Sequence, residues 1–419
     1  MSGATPPWDA VVVGGGPAGA ATAILLARGG ASVLVLERAR FPREKPCSEY
    51  LSPATTAVLE RLGGGVLEEI ERVPHAKLYG MKVVAPDGAA MCGRFVAAHG
   101  YPSPRPYSFA LARATFDTIL LCAAERAGAV VREGVTVEDL VFEDGAVAGV
   151  IARTGGGGMR DACRARVVVG ADGLHSVVAR RLGLARASLP RRIAFTAHVA
   201  DVAGVDEIGE LHVTERGYVG LGPIGGGITT VALVVPLAAL RRGRGRGSPS
   251  LRASFFAELE RFPGLAGRFD ARRLVRDVLA TGPFARRSRR SVANGGGALL
   301  VGDAADFFDP FTGQGIYSAL AGAELAAACL LPAFARGVSE PIPAANLQPY
   351  TRARRREFAG KWLFERLIGL GVGWPALTDR VVRRLARRPD LADLVVGAAG
   401  NIVPARRVLD PSVLAQLLR

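Results

Sequence analysis

At 419 residues, 49% apolar and 22% charged, the chain has material for two or three globular domains and a large core. Its net charge of +15 is mostly arginine, and no recognisable nucleic-acid-binding module accompanies it, so no nucleic-acid partner is expected; biased composition and attraction to an anionic surface are the two readings left. Five scattered cysteines without C-x-x-C exclude a disulfide framework and a cysteine metal centre, and MSGATPPWD lacks the basic and apolar regions of a secretory signal. The expectation is a cytoplasmic protein without metal, free or peripheral at the inner face of the membrane.

The first element carries the strongest signal. Ala10 to Val13 reads as a buried parallel strand, Pro17 to Arg28 as an Ala-rich helix, and Ser32 to Leu36 as a second strand ending on Glu37. Between strand and helix, Gly14, Gly16 and Gly19 keep the spacing G-x-G-x-x-G. Gly14 allows the tight turn, Gly16 lets backbone approach a pyrophosphate, and Gly19 lets helix pack on strand. The helix N-terminus, opened by Pro17 and Ala18, offers free N–H groups to phosphate. Glu37, 18 residues beyond Gly19, can accept hydrogen bonds from a ribose. Because Ala10 to Ala27 carries no charge, a membrane helix is the competing reading; three consecutive glycines and Pro17 argue against it.

A Pro-punctuated loop with Arg38, Arg43, Lys45 and Cys47 follows, then a helix from Ser52-Pro53. Segment 76–106 alternates like a strand pair of a different sheet. Arg113 precedes a helix from Ala114 to Gly128, and strands follow at Val130–Val131, Val135–Phe142, Ala146–Ala152 and Ala165–Val169, with a glycine turn at 155–158. From Arg186 to Arg290 the pattern becomes short turn-bounded strands, interrupted by a charged loop at 241–250 and a helix from Leu251 to Glu260. Ala298–Val301 is a last buried strand, and Ile316 to Leu331 an apolar helix; from Tyr350 the chain is helical and Arg-rich. There Arg352, Arg354, Arg355 and Arg356 precede Phe358, Trp362, Phe364 and Leu367. Either this segment lies in a membrane interface, or its aromatics pack on the core beneath a solvated arginine face.

Three motifs now stand in order: GGGPAG with Glu37, GADGLHS with Arg180, and GDAADFFDPFTGQGI. Together with KPCSEYLSP they resemble the geranylgeranyl reductase family of FAD-dependent oxidoreductases, within the group-A flavoprotein monooxygenase fold, over roughly residues 8 to 345. The resemblance implies an α/β, FAD-binding Rossmann-like (GR2-type) fold with an inserted antiparallel β-sheet substrate domain and a C-terminal helical region. Its parts would be a discontinuous FAD-binding domain (1–75, 107–185 and 290–345), a substrate-binding sheet domain (76–106 and 186–289) and the helical region 346–419. It further implies Gly14, Gly16 and Gly19 at the pyrophosphate, Glu37 at the adenosine ribose, Arg113 at the flavin chain and Val137 at the adenine. Asp172 and Gly173 would lie near the pyrophosphate, and Asp303, after Gly302, at the ribityl chain. Pro310, Gly313, Gln314 and Gly315 would line the isoalloxazine ring, where the helix opening at Ile316 aims N–H groups at one point. Where the family carries Tyr-x-Trp-x-Phe-Pro, this chain has Tyr218-Val219-Gly220-Leu221-Gly222-Pro223.

Two enzymatic readings follow. The first is reduction of carbon–carbon double bonds in a hydrophobic, lipid-like (isoprenoid or polyketide/polyene) molecule, with Cys47 or Tyr218 as proton donor. The second is a monooxygenase that hydroxylates or epoxidises an aromatic or olefinic compound. Each residue has a plain alternative: Cys47 as a core thiol, Tyr218 as sheet packing, His198 as a structural histidine. A non-enzymatic electron carrier is the third class. A single dinucleotide fingerprint leaves NAD(P)H or another external reductant to bind transiently, without a domain of its own.

Overall fold

A computed structural model describes residues 7–97, 100–155, 158–189, 191–242, 250–262, 264–338 and 340–418. Most of the N-terminal stretch read for a signal, the middle of the 155–158 turn and the 243–249 part of the charged loop lie outside the described residues.

The strand Trp8–Val13 sits at the centre of a seven-stranded sheet, parallel to Val33–Glu37 on one side and to Arg160–Gly170 on the other. Val130–Glu133 extends the sheet beyond Val33–Glu37, and Ala298–Leu300 adds a parallel partner to Arg160–Gly170. Antiparallel strands Ala146–Thr154 and Val135–Glu143 complete it. Ala10 to Val12 and Leu34 to Val35 are fully enclosed, as continuous β-branched runs flanked by helices require. The helices Pro17–Arg28, Arg113–Arg126 and Gly315–Ala335 cover one face. Gly315–Ala335 is, among the described residues, the one helix long and apolar enough to cross a membrane; Leu320, Ala323, Ala326 and Leu330 instead fill this core.

The second sheet also has seven strands, in the order Leu274–Thr281, Arg192–Ala200, Ile228–Pro236, Gly217–Pro223, Gly209–Thr214, Gly80–Val84, Ala90–Arg94. One face packs on the helix Leu251–Leu259 through Phe255, Leu259 and Phe262. The expected antiparallel pattern holds except where Gly209–Thr214 runs parallel to Gly80–Val84. That pair joins two distant chain segments, so no hairpin dictates its direction. Ala185–Ala187 and Asp306–Phe307 both pair with Arg286–Ser288, forming a separate three-stranded sheet instead of joining this one.

The C-terminal helices Ala344–Gly371, Pro375–Ala386, Pro389–Ala399 and Pro411–Leu418 close over the outer end of the second sheet. A Cβ on Gly93 would lie 2.5 Å from the Ala392 carbonyl oxygen, so glycine lets helix and strand touch. The arginine cluster is not a uniform surface face. Arg354 is buried, pairs with Asp306, and lies 5.2 Å over the Phe358 ring; Phe358 and Phe364 are buried, and the Trp362 indole donates to Asp306 at 3.0 Å. Arg352, Arg355 and Arg356 are exposed.

One buried carboxylate joins sheet, loop and helix. Asp309 accepts from Arg192 Nη1 at 2.6 Å, from the Tyr218 hydroxyl at 2.5 Å and from the Phe311 amide at 3.0 Å, while Arg192 Nη2 donates to the Gly369 carbonyl at 2.8 Å. Removing one partner of such a pair leaves a charge desolvated and uncompensated. Arg192→Met should therefore lose about 3–5 kcal/mol of unfolding free energy in denaturant titration, whereas substitution of the exposed Arg355 should change it by less than about 0.5 kcal/mol.

Candidate functional site

An elongated cavity of about 930 Å³ runs between the two sheets and under the C-terminal helices. Its inner end is built by the first turn. Gly14 has φ +101°, and a Cβ there would sit 2.7 Å from the Ala171 carbonyl oxygen. Gly16 precedes the helix, where a Cβ would meet only Arg43 Nη2 at 3.4 Å, so the backbone there is bare toward the cavity. Pro17 and Ala18 line the same wall. Gly19 does not line it: a Cβ would fall 1.8 Å from the Gly14 carbonyl oxygen, so Gly19 seats helix on turn. Gly302, φ +60°, likewise packs against Ala18 and stays off the cavity wall.

Glu37 is buried and accepts from the Gly15 amide at 2.7 Å and the Ala39 amide at 2.8 Å, one on each oxygen. Each oxygen keeps a lone pair for a ribose diol. Arg38 and Val137 line this end with it. Against the Gly14 turn, Asp172 Oδ2 accepts from the Val177 amide at 2.6 Å, and Oδ1 is buried without a partner among the described residues. Burial pushes the Asp172 carboxyl above the usual carboxylate range. Gly173 and Asp303 line the adjoining wall. Burial also raises Asp303, against the pull of the Lys45 and Arg113 cations; desolvation and the neighbouring Arg113, Arg43 and Arg38 depress the Lys45 ammonium. Pro310, Gly313, Gly315 and Ile316 line the middle of the cavity.

Two roles expected from the sequence change on contact with the geometry. Gln314 turns away from the cavity: its Nε2 donates to the Ala398 and Ala399 carbonyls at 2.9 Å each, tying the loop to the C-terminal helices. Tyr218 shows its ring to the cavity, edge-on to Phe311 with centroids 5.0 Å apart, but its hydroxyl proton is held by Asp309 and its pKa is pushed far up by burial and that carboxylate. Through Asp309 it ties the Pro310–Gly313 loop to the second sheet.

Cys47 lines the cavity beside Arg113, its sulfur accepting from the Glu49 amide at 3.3 Å. Arg113 is itself gripped by Asp117, with Nε and Nη2 each 2.7 Å from a carboxylate oxygen. His198 does not stand alone: its Nε2 lies 2.6 Å from Glu49 Oε2, and Glu49, fully buried at φ 61°, accepts the Arg113 amide on its other oxygen at 3.1 Å. The sequence reading missed Glu49, Asp117, Asp309 and the role of Arg43. Arg43 lines the cavity, pairs with Asp117 at 3.1 Å and keeps a buried Nη1 without a partner among the described residues. Its place in a Pro-rich loop just past the ribose acid was the available signal.

These residues fit FAD. A bare glycine turn at a helix start, an unpartnered guanidinium nitrogen beside it and an unpartnered buried acceptor on the residue packed against Gly14 are what a dinucleotide would satisfy. The sequence agrees: residues 8–356 match the family described as FAD binding domain. The chain belongs to this family of FAD-dependent oxidoreductases, which includes geranylgeranyl reductase relatives. It is 32% identical to protein FixC of Salmonella typhi over 358 residues, covering 78% of each chain, and 29% identical to digeranylgeranylglycerophospholipid reductase of Methanospirillum hungatei, covering 85% of this chain and 83% of that one. With FixC of Escherichia coli O157:H7 the match, 33% identical, spans only 44% of the relative. Among solved structures, a flavoprotein/dehydrogenase from Cytophaga hutchinsonii superposes with TM-score 0.82 at 20% identity, covering 98% of this chain and 96% of that one. The myxobacterial chondrochloren halogenase superposes with TM-score 0.74 at 23% identity, covering 94% and 93%. The two share the fold alone.

Asp303→Ala removes an acceptor from the FAD wall. A hydrogen bond to a charged group contributes about 1.5–3 kcal/mol, so FAD affinity should fall roughly tenfold to a hundredfold in titration of the apoprotein. Unchanged affinity would take Asp303 out of the site.

Proposed function

We propose that this oxidoreductase saturates carbon–carbon double bonds of a hydrophobic, lipid-like substrate. The observation that carries the reading is that Cys47, beside the Arg113 guanidinium, opens onto the same cavity whose outer branch is walled by Ile368, Val382, Leu385 and Val396 of the C-terminal helices. Saturation adds a hydride to one carbon and a proton to the other. FAD, reduced by NAD(P)H or another external donor, supplies the hydride chemistry. Cys47 gives its thiol proton to the second carbon and recovers one from solvent; the Arg113 guanidinium stabilises the thiolate in between. Asp117 fixes that guanidinium bidentately. Glu49 and His198 hold the Cys47 loop against the second sheet. The apolar wall excludes water, which would otherwise compete for the developing charge. The similarity to a digeranylgeranylglycerophospholipid reductase supports the reading.

The second reading, oxygen insertion, is favoured by the room left where the family's tryptophan and phenylalanine are replaced by Gly220 and Gly222. Product mass separates the two: gain of two hydrogens against gain of one oxygen. For the first, Cys47→Ala should slow oxidation of the reduced enzyme by an olefin, followed anaerobically, by about 10²–10⁴-fold, with FAD content and flavin reduction by the donor unchanged. An unaltered rate would remove Cys47 as the acid.

The same reading gives the substrate an entrance. Leu363, Leu367 and Leu370 share one face of the helix Ala344–Gly371, Trp374 continues it, and all four are 46–64% exposed. Leu367 also lines the cavity, and Arg366 and Arg380 flank it exposed. We propose that this rim touches an anionic bilayer and takes a lipid substrate from it. The protein should co-sediment with phosphatidylglycerol vesicles at low salt, less so at high salt, and a Leu370→Asp/Trp374→Ser variant should stay in the supernatant. Equal recovery in the supernatant with and without vesicles would end the idea.

A further inference from the structure

Glycines inside a strand weaken it and need a reason. In the second sheet some have one. Gly217 has φ +137°, with a Cβ position 2.1 Å from the Val234 carbonyl oxygen, and a Cβ on Gly209 would meet the Met81 sulfur at 2.5 Å. Gly220 and Gly222 have neither. Neither has a positive φ, and a Cβ would meet only Leu211 Cδ2 at 3.5 Å and Leu78 Cδ1 at 3.7 Å, ordinary contacts. The fold would accept side chains at both. What would change is the cavity, because both residues line it.

The register extends them into a surface. Gly220 lies opposite Ala232 and Gly222 opposite Thr230, while Ala232 lies opposite Thr196 on the next strand. All five line the cavity. They make a flat patch of exposed peptide planes and small side chains, unlike the branched aliphatic wall under the C-terminal helices.

A second observation is independent of the first. Thr230 is 2% exposed, and its hydroxyl has no hydrogen-bond partner among the described residues. Its polar neighbours are engaged elsewhere: His198, opposite it, with Glu49, and Thr196 as acceptor from Arg276 Nη2 at 3.2 Å. A buried hydroxyl left unpaired is costly, and Thr230 can both donate and accept.

We infer that Gly220, Gly222 and Ala232 form a platform for a flat, oxygen-bearing ring, and that Thr230 hydrogen-bonds the oxygen. The inference rests on the reading of the cavity as the substrate site and gives it a substrate class: a planar oxygenated ring on the platform, with an aliphatic portion in the helical branch. Peptide planes without side chains offer a ring face close contact over its whole area, whereas a flexible chain gains more from branched neighbours.

Equilibrium binding tests it without turnover. The oxidised FAD-loaded protein is titrated with 2-naphthol, naphthalene and farnesol, and the shift of the flavin absorption bands reports each dissociation constant. 2-Naphthol should bind roughly three- to tenfold more tightly than naphthalene, and Thr230→Val should erase that difference while leaving naphthalene unchanged. Gly220→Val and Gly222→Val, whose β-branched side chains suit a strand, should each weaken both aromatic probes by at least roughly tenfold while farnesol changes by less than about twofold. If a valine variant fails to retain FAD, Gly222→Ala gives the same pattern in smaller degree. Equal affinity for the two aromatics, aromatic binding unaffected by the added side chains, or an equal loss of farnesol would each overturn the platform. Since no reaction is read, absence of double-bond reduction would refute the proposed chemistry and leave this result standing.

Discussion

The Asp309 carboxylate is the constraint on which the rest of the site depends. It takes a guanidinium from the second sheet, a phenol from the same sheet and an amide from its own loop, and the guanidinium continues to the longest C-terminal helix. Buried ion pairs seldom add net stability, because desolvation offsets the attraction. What this one contributes is position. Asp309 caps the short turn Pro310–Thr312, and that turn leads into the Gly313–Gly315 approach to the helix Gly315–Ala335. The loop beside the proposed flavin ring is therefore set by residues far from it in the chain, and sheet, loop and helical cap cannot shift independently.

The cavity divides into two chemistries. Its inner end carries Arg38, Arg43, Lys45 and Arg113 around a bare glycine turn, an arrangement that favours a doubly charged pyrophosphate. Its outer end is almost wholly aliphatic. Cys47 lines the cavity too, in a loop held by Glu49, whose left-handed backbone turns its carboxylate under the Arg113 amide and against His198. Non-glycine residues held in that conformation persist when their surroundings over-determine them, and Glu49 has three such partners, Arg276 being the third at 3.5 Å.

The first strand–turn–helix was legible because its signals are local. Glycine spacing, β-branched runs and Pro17 at the helix start all lie within a few residues, and the helix Pro17–Arg28 has the expected bounds. The extended segments of the second sheet were legible for the same reason, by alternation and turns. Their order was not, since Gly209–Thr214 meets Gly80–Val84 across more than a hundred residues. The same distance hid the polar partners. Glu49 and His198 are 149 positions apart, and Tyr218 and Asp309 are 91 apart, so nothing in their spacing marks them as neighbours. Gln314 misled because its motif fixes the backbone turn while the C-terminal helices decide where its side chain goes. The C-terminal aromatics misled in part: Arg354 looks like its exposed neighbours Arg355 and Arg356 until Asp306 and three aromatic rings enclose it.

The central sheet has a consequence for how the protein comes into being on the ribosome. The fingerprint turn is synthesised before the rest of its sheet, yet the strand that feeds it is flanked by Arg160–Gly170, and that strand is in turn paired with Ala298–Leu300. Asp172 and Asp303 add to the wall of the cavity beside the turn. A nascent chain stopped before residue 303 therefore carries the whole glycine motif and no finished pocket. Flavin capture must wait until the chain has emerged through residue 303, and flavin bound to the product reports closure of the long-range sheet, not mere presence of the glycine motif.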